Sequence, residues 1–205
     1  MRKPFFLSVI GLILLTLSGF VTPPQGYQVG DKAMLFKLKN VDGKMVALGD
    51  ASATKGYIVV FTCNTCPVAQ AYENRMMALN HQYAAKGYPV IAINANDGTL
   101  SPGDSFDEMK KRSASKGYAF PYLLDETQEV AKTYGARSTP TVYVVKRTGS
   151  DFIVSYIGAI DNNRDNPSEA GEKYVQKAVD ALLAGKPVET PTVKAIGCGI
   201  RWKQA

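Results

Sequence analysis

Residues 57–67, Tyr-Ile-Val-Val-Phe-Thr-Cys-Asn-Thr-Cys-Pro, decide the fold class of this chain of 205 residues. The run from Tyr57 to Thr62 is apolar up to its last residue, which is typical of a strand buried on both faces of a sheet. Cys63 and Cys66 follow at once, and Pro67 suits the first turn of a helix, where its missing N–H costs nothing. The stretch predicts a buried strand, a Cys-x-x-Cys turn and a helix.

The rest of the chain alternates between extended and helical patterns. Further strands are predicted over residues 34–39, 44–48, 90–94, 141–146 and 152–157, and helices over 69–85, 105–115, 128–134 and 169–183. Asp42-Gly43 favours a tight hairpin between the first two strands. Residues 94–105 contain Asp97 and Asp104 but lack the spacing of a calcium loop, so a turn-rich insertion near the active edge of the sheet is predicted. The order predicts an α/β fold with a central sheet covered on both faces.

Composition limits the function classes. A hydrophobic fraction of 45% and 205 residues suit one folded domain, and three cysteines are too few for a disulfide scaffold. The formal charge of +6 includes Arg2 and Lys3 of the amino-terminal segment, and no basic run or stripe occurs elsewhere. Nucleic-acid binding is therefore not expected.

The amino terminus has the pattern of an export signal. Arg2 and Lys3 precede an apolar run over residues 5–21, so residues 1–22 are predicted to be a cleaved signal peptide or an uncleaved membrane anchor. Either would place the domain in a bacterial periplasm, where disulfides persist. The folded domain is predicted over residues 27–186, followed by a tail over 187–205.

The Cys-x-x-Cys motif predicts thiol chemistry. At a helix start the first sulfur is expected to meet unpaired N–H groups and the positive end of the helix dipole, both of which favour the reactive thiolate. Cys63 is therefore the predicted nucleophile, and Cys66 the thiol that resolves the mixed disulfide and forms the redox disulfide Cys63–Cys66. A buried, inert pair of cysteines is the alternative.

A metal site is disfavoured by distance. Cys63, Cys66, His81 and Cys198 could supply four ligands to zinc. His81 lies 15 residues beyond Cys66, which is roughly 22 Å along a helix. No metal ligand and no cofactor are therefore predicted, and His81 is expected to be an exposed or capping helix residue.

The segment Ser138-Thr139-Pro140-Thr141 lies directly before a predicted strand, where a proline marks a turn. A strand–Cys-x-x-Cys–helix unit followed by such a segment resembles the thioredoxin superfamily. The resemblance implies a thioredoxin-like fold, here with an amino-terminal hairpin extension. It also implies that Pro140 is cis, that it sits against the cysteines, and that Thr139 and Pro140 border the substrate groove.

Finer motifs resemble the peroxiredoxin-like, AhpC/TSA-type subgroup of this superfamily, over roughly residues 27–204. The motifs are Val29-Gly30-Asp31-Lys32-Ala33 and the segments 61–67, 92–97, 120–126 and 196–203. Peroxiredoxins carry Pro-x-x-x-Thr-x-x-Cys, and alignment on Cys66 puts Val59 and Cys63 at the Pro and Thr positions. Dithiol exchange is therefore favoured over hydroperoxide reduction, for which Arg137 would be the activating guanidinium.

These observations predict an exported thiol–disulfide oxidoreductase. Its partners would be protein or small-thiol substrates and an external thiol electron donor, with membrane anchoring through the amino terminus as an option. A thiol-dependent peroxidase of antioxidant type is the first alternative, and a non-catalytic metal-carrying relative the second. Cys198 has two interpretations: a resolving thiol on a tail folded over the site, or a partly buried thiol that pins the tail.

Overall fold

A computed structural model describes residues 26–51 and 53–204 of the chain. The strands are β1 (Lys37–Asn40), β2 (Met45–Ala47), β3 (Gly56–Phe61), β4 (Val90–Asn94), β5 (Tyr122–Leu124), β6 (Ser138–Thr139), β7 (Thr141–Thr148), β8 (Asp151–Gly158) and β9 (Cys198–Gly199). The helices are α1 (Pro67–Tyr83), α2 (Phe106–Lys116), α3 (Glu129–Tyr134) and α4 (Tyr174–Leu183).

The strands form one mixed sheet of seven strands and a separate two-stranded sheet. The large sheet has the order β2-β1-β5-β4-β3-β7-β8, and the small one pairs β6 with β9. Strand β3 lies parallel to β4 and antiparallel to β7, and β4 lies parallel to β5. The β1–β2 hairpin extends the sheet by pairing with β5. The predicted fold class, a mixed sheet with an amino-terminal hairpin, is confirmed.

The centre of the sheet is buried on both faces, as the composition of β3 requires. All six residues of β3 are buried, and successive side chains point to opposite faces. Ile58 and Val60 pack in the cluster that contains α1, α2 and α4, whereas Val59 and Phe61 pack in the cluster that contains α3. The carboxyl end of this strand therefore enters the Cys-x-x-Cys turn from a fixed position.

Most predicted elements lie where expected, and the differences have local causes. The predicted helix over 169–183 is too long, because Pro167–Glu169 form a single 3-10 turn and α4 begins only at Tyr174. Strand β5 was not predicted as a strand, nor was the β6–β9 pair, because runs of two or three residues carry no periodicity. His81 is exposed in the last turn of α1, as expected.

The predicted export segment, residues 1–22, lies outside the described residues. Within residues 26–51 and 53–204, no helix is both long and apolar enough to cross a membrane.

Candidate active site

The two cysteines of the motif lie in the turn between β3 and α1. The backbone N–H of Thr62 donates to the carbonyl of Ile93 on β4, which continues the strand pairing up to the motif. Cys66 is the N-cap of α1, and Pro67 occupies the first helical turn. Cys63 and Cys66 are both buried, with 4% and 2% of their surface exposed.

Both sulfurs contact Thr139. Cys63 Sγ and Thr139 Oγ1 share a hydrogen bond of 3.1 Å, and Cys66 Sγ donates to the Thr139 carbonyl oxygen over 3.4 Å. The Thr139–Pro140 peptide bond is cis. Two segments that lie far apart in the sequence therefore meet at the motif.

A buried carboxylate holds the turn between the cysteines. Asp104 is fully buried, and its Oδ1 accepts from the Asn64 N–H over 2.6 Å. Its Oδ2 accepts from the hydroxyls of Thr65 and Ser101, each over 2.6 Å, and from the Asn96 side-chain amide over 2.8 Å. Burial alone would raise the pKa of Asp104, but the hydrogen bonds from these partners outweigh it and lower that pKa. Asp104 is thus an anion with its acceptor sites filled.

The side chain of Asn64 is fixed separately from its backbone. Its Nδ2 donates to the Gly103 carbonyl over 2.8 Å, and its Oδ1 accepts from the Tyr122 hydroxyl over 2.9 Å. Gln70 Nε2 donates to the Asn64 carbonyl over 2.6 Å. The first residue between the cysteines is therefore tied to α1, to β5 and to the loop before α2, which makes the turn rigid.

The pKa values of the two thiols are shifted in opposite directions. Burial raises the pKa of the Cys63 thiol, the hydrogen bond from Thr139 opposes this rise, and the negative charge of Asp104 adds to it. Burial acts in the same direction on Cys66, but hydrogen bonding with Cys198 and with N–H groups at the start of α1 outweighs it and lowers the pKa of Cys66. The N–H of Cys66 at the helix start does lower the pKa of Cys63, as expected, but burial outweighs it, so the expected net acidification of the first sulfur is not found.

The carboxyl-terminal tail crosses this site as a short strand. Cys198 lies opposite Thr139 and Gly199 opposite Ser138 in the antiparallel β6–β9 pair. The nearby Cys66 thiol, together with burial, raises the pKa of Cys198 to about 11. Cys198 is exposed, so the description of it as partly buried is wrong, whereas a tail folded over the motif is what the structure has.

The tail is anchored directly after its contact with the motif. The Ile200 N–H donates to the Arg137 carbonyl over 3.0 Å, and the Ile200 side chain is buried in the core beside α3. The Arg201 N–H donates to Asn96 Oδ1 over 2.8 Å, and Gln128 Nε2 donates to the Arg201 carbonyl over 2.9 Å. The tail is therefore an ordered part of the domain surface.

Arg137 contributes its backbone to this region, while its side chain is exposed. Within residues 26–51 and 53–204, its guanidinium forms no hydrogen bond or ion pair with either sulfur or with any other group. The structure therefore does not bring Arg137 together with the cysteines in the way that a guanidinium activator requires.

A groove opens beside Pro140. It has a volume of about 360 Å³ and is lined in part by Val68 and Tyr72 of α1, by Asp161, and by Ile196 of the tail. Ile196 is 74% exposed. The groove offers an apolar wall next to the predicted substrate-facing residues.

The cysteines and the Thr139–Pro140 segment are visible in the sequence, whereas three residues that fix the site and the tail are not. These are Asp104 and Asn64, which fix the turn, and Gln128, which fixes the tail. The predicted location of the 94–105 loop, near the active edge, was right. A signal for Asp104 existed, because the loop follows β4, and the carboxyl ends of the parallel strands β3 and β4 meet at one edge.

Comparison with known proteins gives the family. The model of the AhpC/TSA family matches residues 29–151. The thiol-disulfide oxidoreductase ResA of Oceanobacillus iheyensis is 30% identical over 146 residues, which cover 69% of this chain and 71% of that protein. ResA of Halalkalibacterium halodurans is 27% identical over 155 residues, which cover 72% of this chain and 84% of that protein.

Solved structures of other proteins have similar folds. An uncharacterized conserved protein from Geobacillus kaustophilus is 39% identical, with a TM-score of 0.80 over 87% of this chain and 94% of that one. A thiol:disulfide interchange protein of the thioredoxin family from Chlorobium tepidum is 19% identical, with a TM-score of 0.57 over 77% of this chain and 99% of that one. The predictions of a thioredoxin-like fold and of an oxidoreductase are confirmed. The chain belongs to the AhpC/TSA family.

Proposed function

We propose that this protein exchanges disulfides with its substrates through Cys63 and Cys66, as a thiol–disulfide oxidoreductase. The observation that carries the proposal is the shared contact of both buried sulfurs with Thr139, next to the cis Pro140 and the groove. The name of the ResA relatives describes the same activity in those proteins. A pair of sulfurs fixed on one residue is suited to forming and breaking a disulfide in turn.

In the proposed reaction, the Cys63 thiolate attacks one sulfur of a substrate disulfide. A Cys63–substrate disulfide forms, and the other substrate sulfur leaves as a thiolate that takes up a proton. The Cys66 thiolate then attacks the Cys63 sulfur, which releases the second substrate thiolate and leaves the Cys63–Cys66 disulfide. The N–H groups at the start of α1, which lower the pKa of Cys66, suit this second step, because the resolving thiol must be deprotonated. Two electrons pass from the protein to the substrate.

Cys63 has this raised pKa in the structure in which the tail covers the motif. Its first cause is burial, and displacement of the tail by a substrate would expose Cys63 to water and reduce that cause. We therefore propose that substrate entry and activation of Cys63 are coupled through the tail.

We propose protein or small-molecule disulfides as substrates and an external thiol as the electron donor. Thr139 and Pro140 would present the backbone edge to an extended substrate segment. The groove beside Pro140 would take an apolar side chain next to the reacting sulfur, since Val68 and Ile196 line it. No cofactor takes part in these steps.

Reduction of insulin disulfides by the full chain tests the proposal. Cys63→Ser is expected to abolish turnover, because the attacking sulfur is gone. Cys66→Ser is expected to accumulate a mixed disulfide with the substrate, visible as added mass that dithiothreitol removes. Wild-type turnover in both variants would contradict the mechanism.

Hydroperoxide reduction is the second candidate, and the lowered pKa of Cys66 favours it. In that reaction the Cys66 thiolate would attack one peroxide oxygen, the O–O bond would break, and the other oxygen would take up a proton and leave as an alcohol, or as water from hydrogen peroxide. A second thiol would then attack the resulting Cys66 sulfenic acid, release water and form the disulfide. Stopped-flow mixing with hydrogen peroxide distinguishes the two candidates. Rapid sulfenate formation at Cys66 would favour the peroxidase, whereas insulin reduction without it would favour dithiol exchange.

We also propose export of the chain, with the redox domain over 27–186 and the tail over 187–205. The support is the order of charge and apolar residues in the first 22 positions. Fractionation of cells that express the full chain tests this, because a cytoplasmic product of full mass would contradict it. Metal analysis of the purified protein tests the metal-carrying alternative, which requires stoichiometric copper or zinc.

A further inference from the structure

The tail lies along the same backbone edge that an extended substrate would use. Cys198 pairs with Thr139, the residue that contacts both sulfurs of the motif. Gly197 approaches this edge so closely that a Cβ at this position would lie 1.9 Å from the Thr139 carbonyl oxygen. Strand addition to such an edge is a common mode of peptide binding. In this structure, the segment that occupies the edge is the protein's own tail, and it carries a thiol.

The three cysteines differ sharply in their access to solvent. Cys63 and Cys66 are buried beneath the tail, whereas Cys198 is exposed. Because thiol exchange requires direct approach of the attacking sulfur, a large dithiol donor reaches the buried disulfide only when the tail is displaced, whereas it reaches Cys198 with the tail in place. Cys198 is accessible to such a donor and is adjacent to Cys66 at the same time.

We infer that Cys198 is a third redox-active thiol, which exchanges with the Cys63–Cys66 disulfide and presents it at the surface as a Cys66–Cys198 disulfide. The inference rests on the proposed function, because that function generates the Cys63–Cys66 disulfide. The tail is then an internal substrate of the motif, and the external dithiol donor reduces the surface disulfide rather than the buried one.

The exchange step balances without a further reactant. The Cys198 thiolate attacks Cys66 Sγ, the Cys63–Cys66 bond breaks, and the Cys66–Cys198 bond forms. Cys63 leaves as a thiolate and takes up a proton equivalent to the one that Cys198 lost. An external dithiol then reduces the Cys66–Cys198 bond by two further exchanges and is itself oxidised to a disulfide.

The acidity of the thiols is consistent with this order of events. Hydrogen bonding with Cys66 is the largest cause of the raised pKa of Cys198, followed by burial and by the charge of Cys66. Once Cys66 is part of a disulfide, it carries no thiolate charge, so that part of the rise is removed. A smaller fraction of Cys198 is therefore thiolate while the motif is reduced, and a larger fraction is thiolate, and so nucleophilic, when the motif is oxidised.

Peptide mapping of the full chain tests the inference. Cys63→Ser leaves Cys66 and Cys198, and trypsin separates them into the peptides 56–75 and 195–201. After incubation with oxidised glutathione, acid quenching and alkylation, most of the Cys198 signal is expected in a disulfide-linked pair of these peptides. Cys66→Ser, which leaves Cys63 instead, is the matched control and is expected to give several-fold less linkage. When both variants are oxidised in denaturant, the yield of linked peptides from Cys63→Ser is expected to fall to that from Cys66→Ser.

Separate glutathione adducts on Cys66 and Cys198, without linkage in the folded protein, would overturn the inference. Equal linkage in the two variants would also overturn it, because the specific adjacency of Cys66 and Cys198 would then be wrong. Insulin reduction by the wild-type chain is measured in parallel. Insulin reduction without linkage would contradict the role of Cys198 and leave the proposed function intact. Linkage without insulin reduction would contradict the proposed function.

Discussion

Gly197 and Thr139 approach each other at the point where the tail covers the Cys-x-x-Cys motif. A Cβ on Gly197 would lie 1.9 Å from the Thr139 carbonyl oxygen and 2.6 Å from its carbonyl carbon. Both obstructing atoms belong to the backbone, which cannot rotate away as a side chain can. The position of the tail strand therefore depends on a residue without a side chain.

Gly197→Ala is expected to displace the tail and expose the motif. Alkylation of the peptide 56–75 by iodoacetamide at neutral pH should become several-fold faster than in the wild-type chain, because burial protects Cys63 and Cys66. Gly199→Ala is the matched control, since a Cβ there meets no atom closer than 3.9 Å. Equal alkylation rates in the wild type and in Gly197→Ala would contradict the covering role of the tail.

Asp104→Asn is expected to destabilise the turn between the cysteines. An amide in place of the carboxylate turns one acceptor into a donor, which then faces the Asn64 N–H or the hydroxyls of Thr65 and Ser101. A buried donor that faces another donor lowers the free energy of unfolding by about 2–3 kcal/mol. Urea unfolding measures the loss. Asp107→Asn, at an exposed position on α2, is the control and should leave the midpoint almost unchanged.

The contribution of Asp104 to stability is expected to depend on pH. Its pKa is lowered in the folded protein, so the folded state holds the ionised form more tightly than the unfolded state, whose pKa is about 3.9. The stabilisation is complete above the unfolded pKa and is lost as the pH falls through the lower, folded pKa. The difference in unfolding free energy between the wild type and Asp104→Asn should therefore narrow in acid. A constant difference down to the acid limit would contradict an ionised Asp104.

The sequence identified those parts of the fold that local pattern determines. Strands β3 and β4 are continuous apolar runs, and the buried residues of α1 recur at spacings of three and four. The β6–β9 pair has two residues per strand and joins positions about sixty residues apart, so no periodicity marks it. Its existence depends on tertiary packing of the tail, which includes the buried Ile200.

In the site, too, some features follow from local sequence pattern and others only from tertiary packing. The Cys-x-x-Cys spacing and the proline before β7 are visible in the sequence, and the resemblance that they carry implies that Pro140 sits against the cysteines. The hydrogen bond between Asp104 and Asn64 spans 40 positions and requires the loop after β4 to fold back on the motif. The raised pKa of Cys63 could not be predicted, because its first cause is the burial of that thiol in the folded chain.

The Thr139 hydroxyl is expected to control the acidity of Cys63. Its hydrogen bond of 3.1 Å is the largest effect that opposes the burial-induced rise in the pKa of Cys63. Thr139→Val keeps the branched shape and removes the hydroxyl, so that pKa should rise further and alkylation of Cys63 at fixed pH should slow. Thr139→Ser keeps the hydroxyl and should restore a value near that of the wild type.

The measurement uses a Cys66→Ser background, in which Cys63 is the one cysteine of the peptide 56–75. The alkylation rate is followed against pH, and its midpoint reports the pKa of Cys63. A general disturbance of packing would change the rate at all pH values without moving the midpoint. Equal shifts in Thr139→Val and Thr139→Ser would show that the methyl group, and not the hydroxyl, sets the acidity of Cys63.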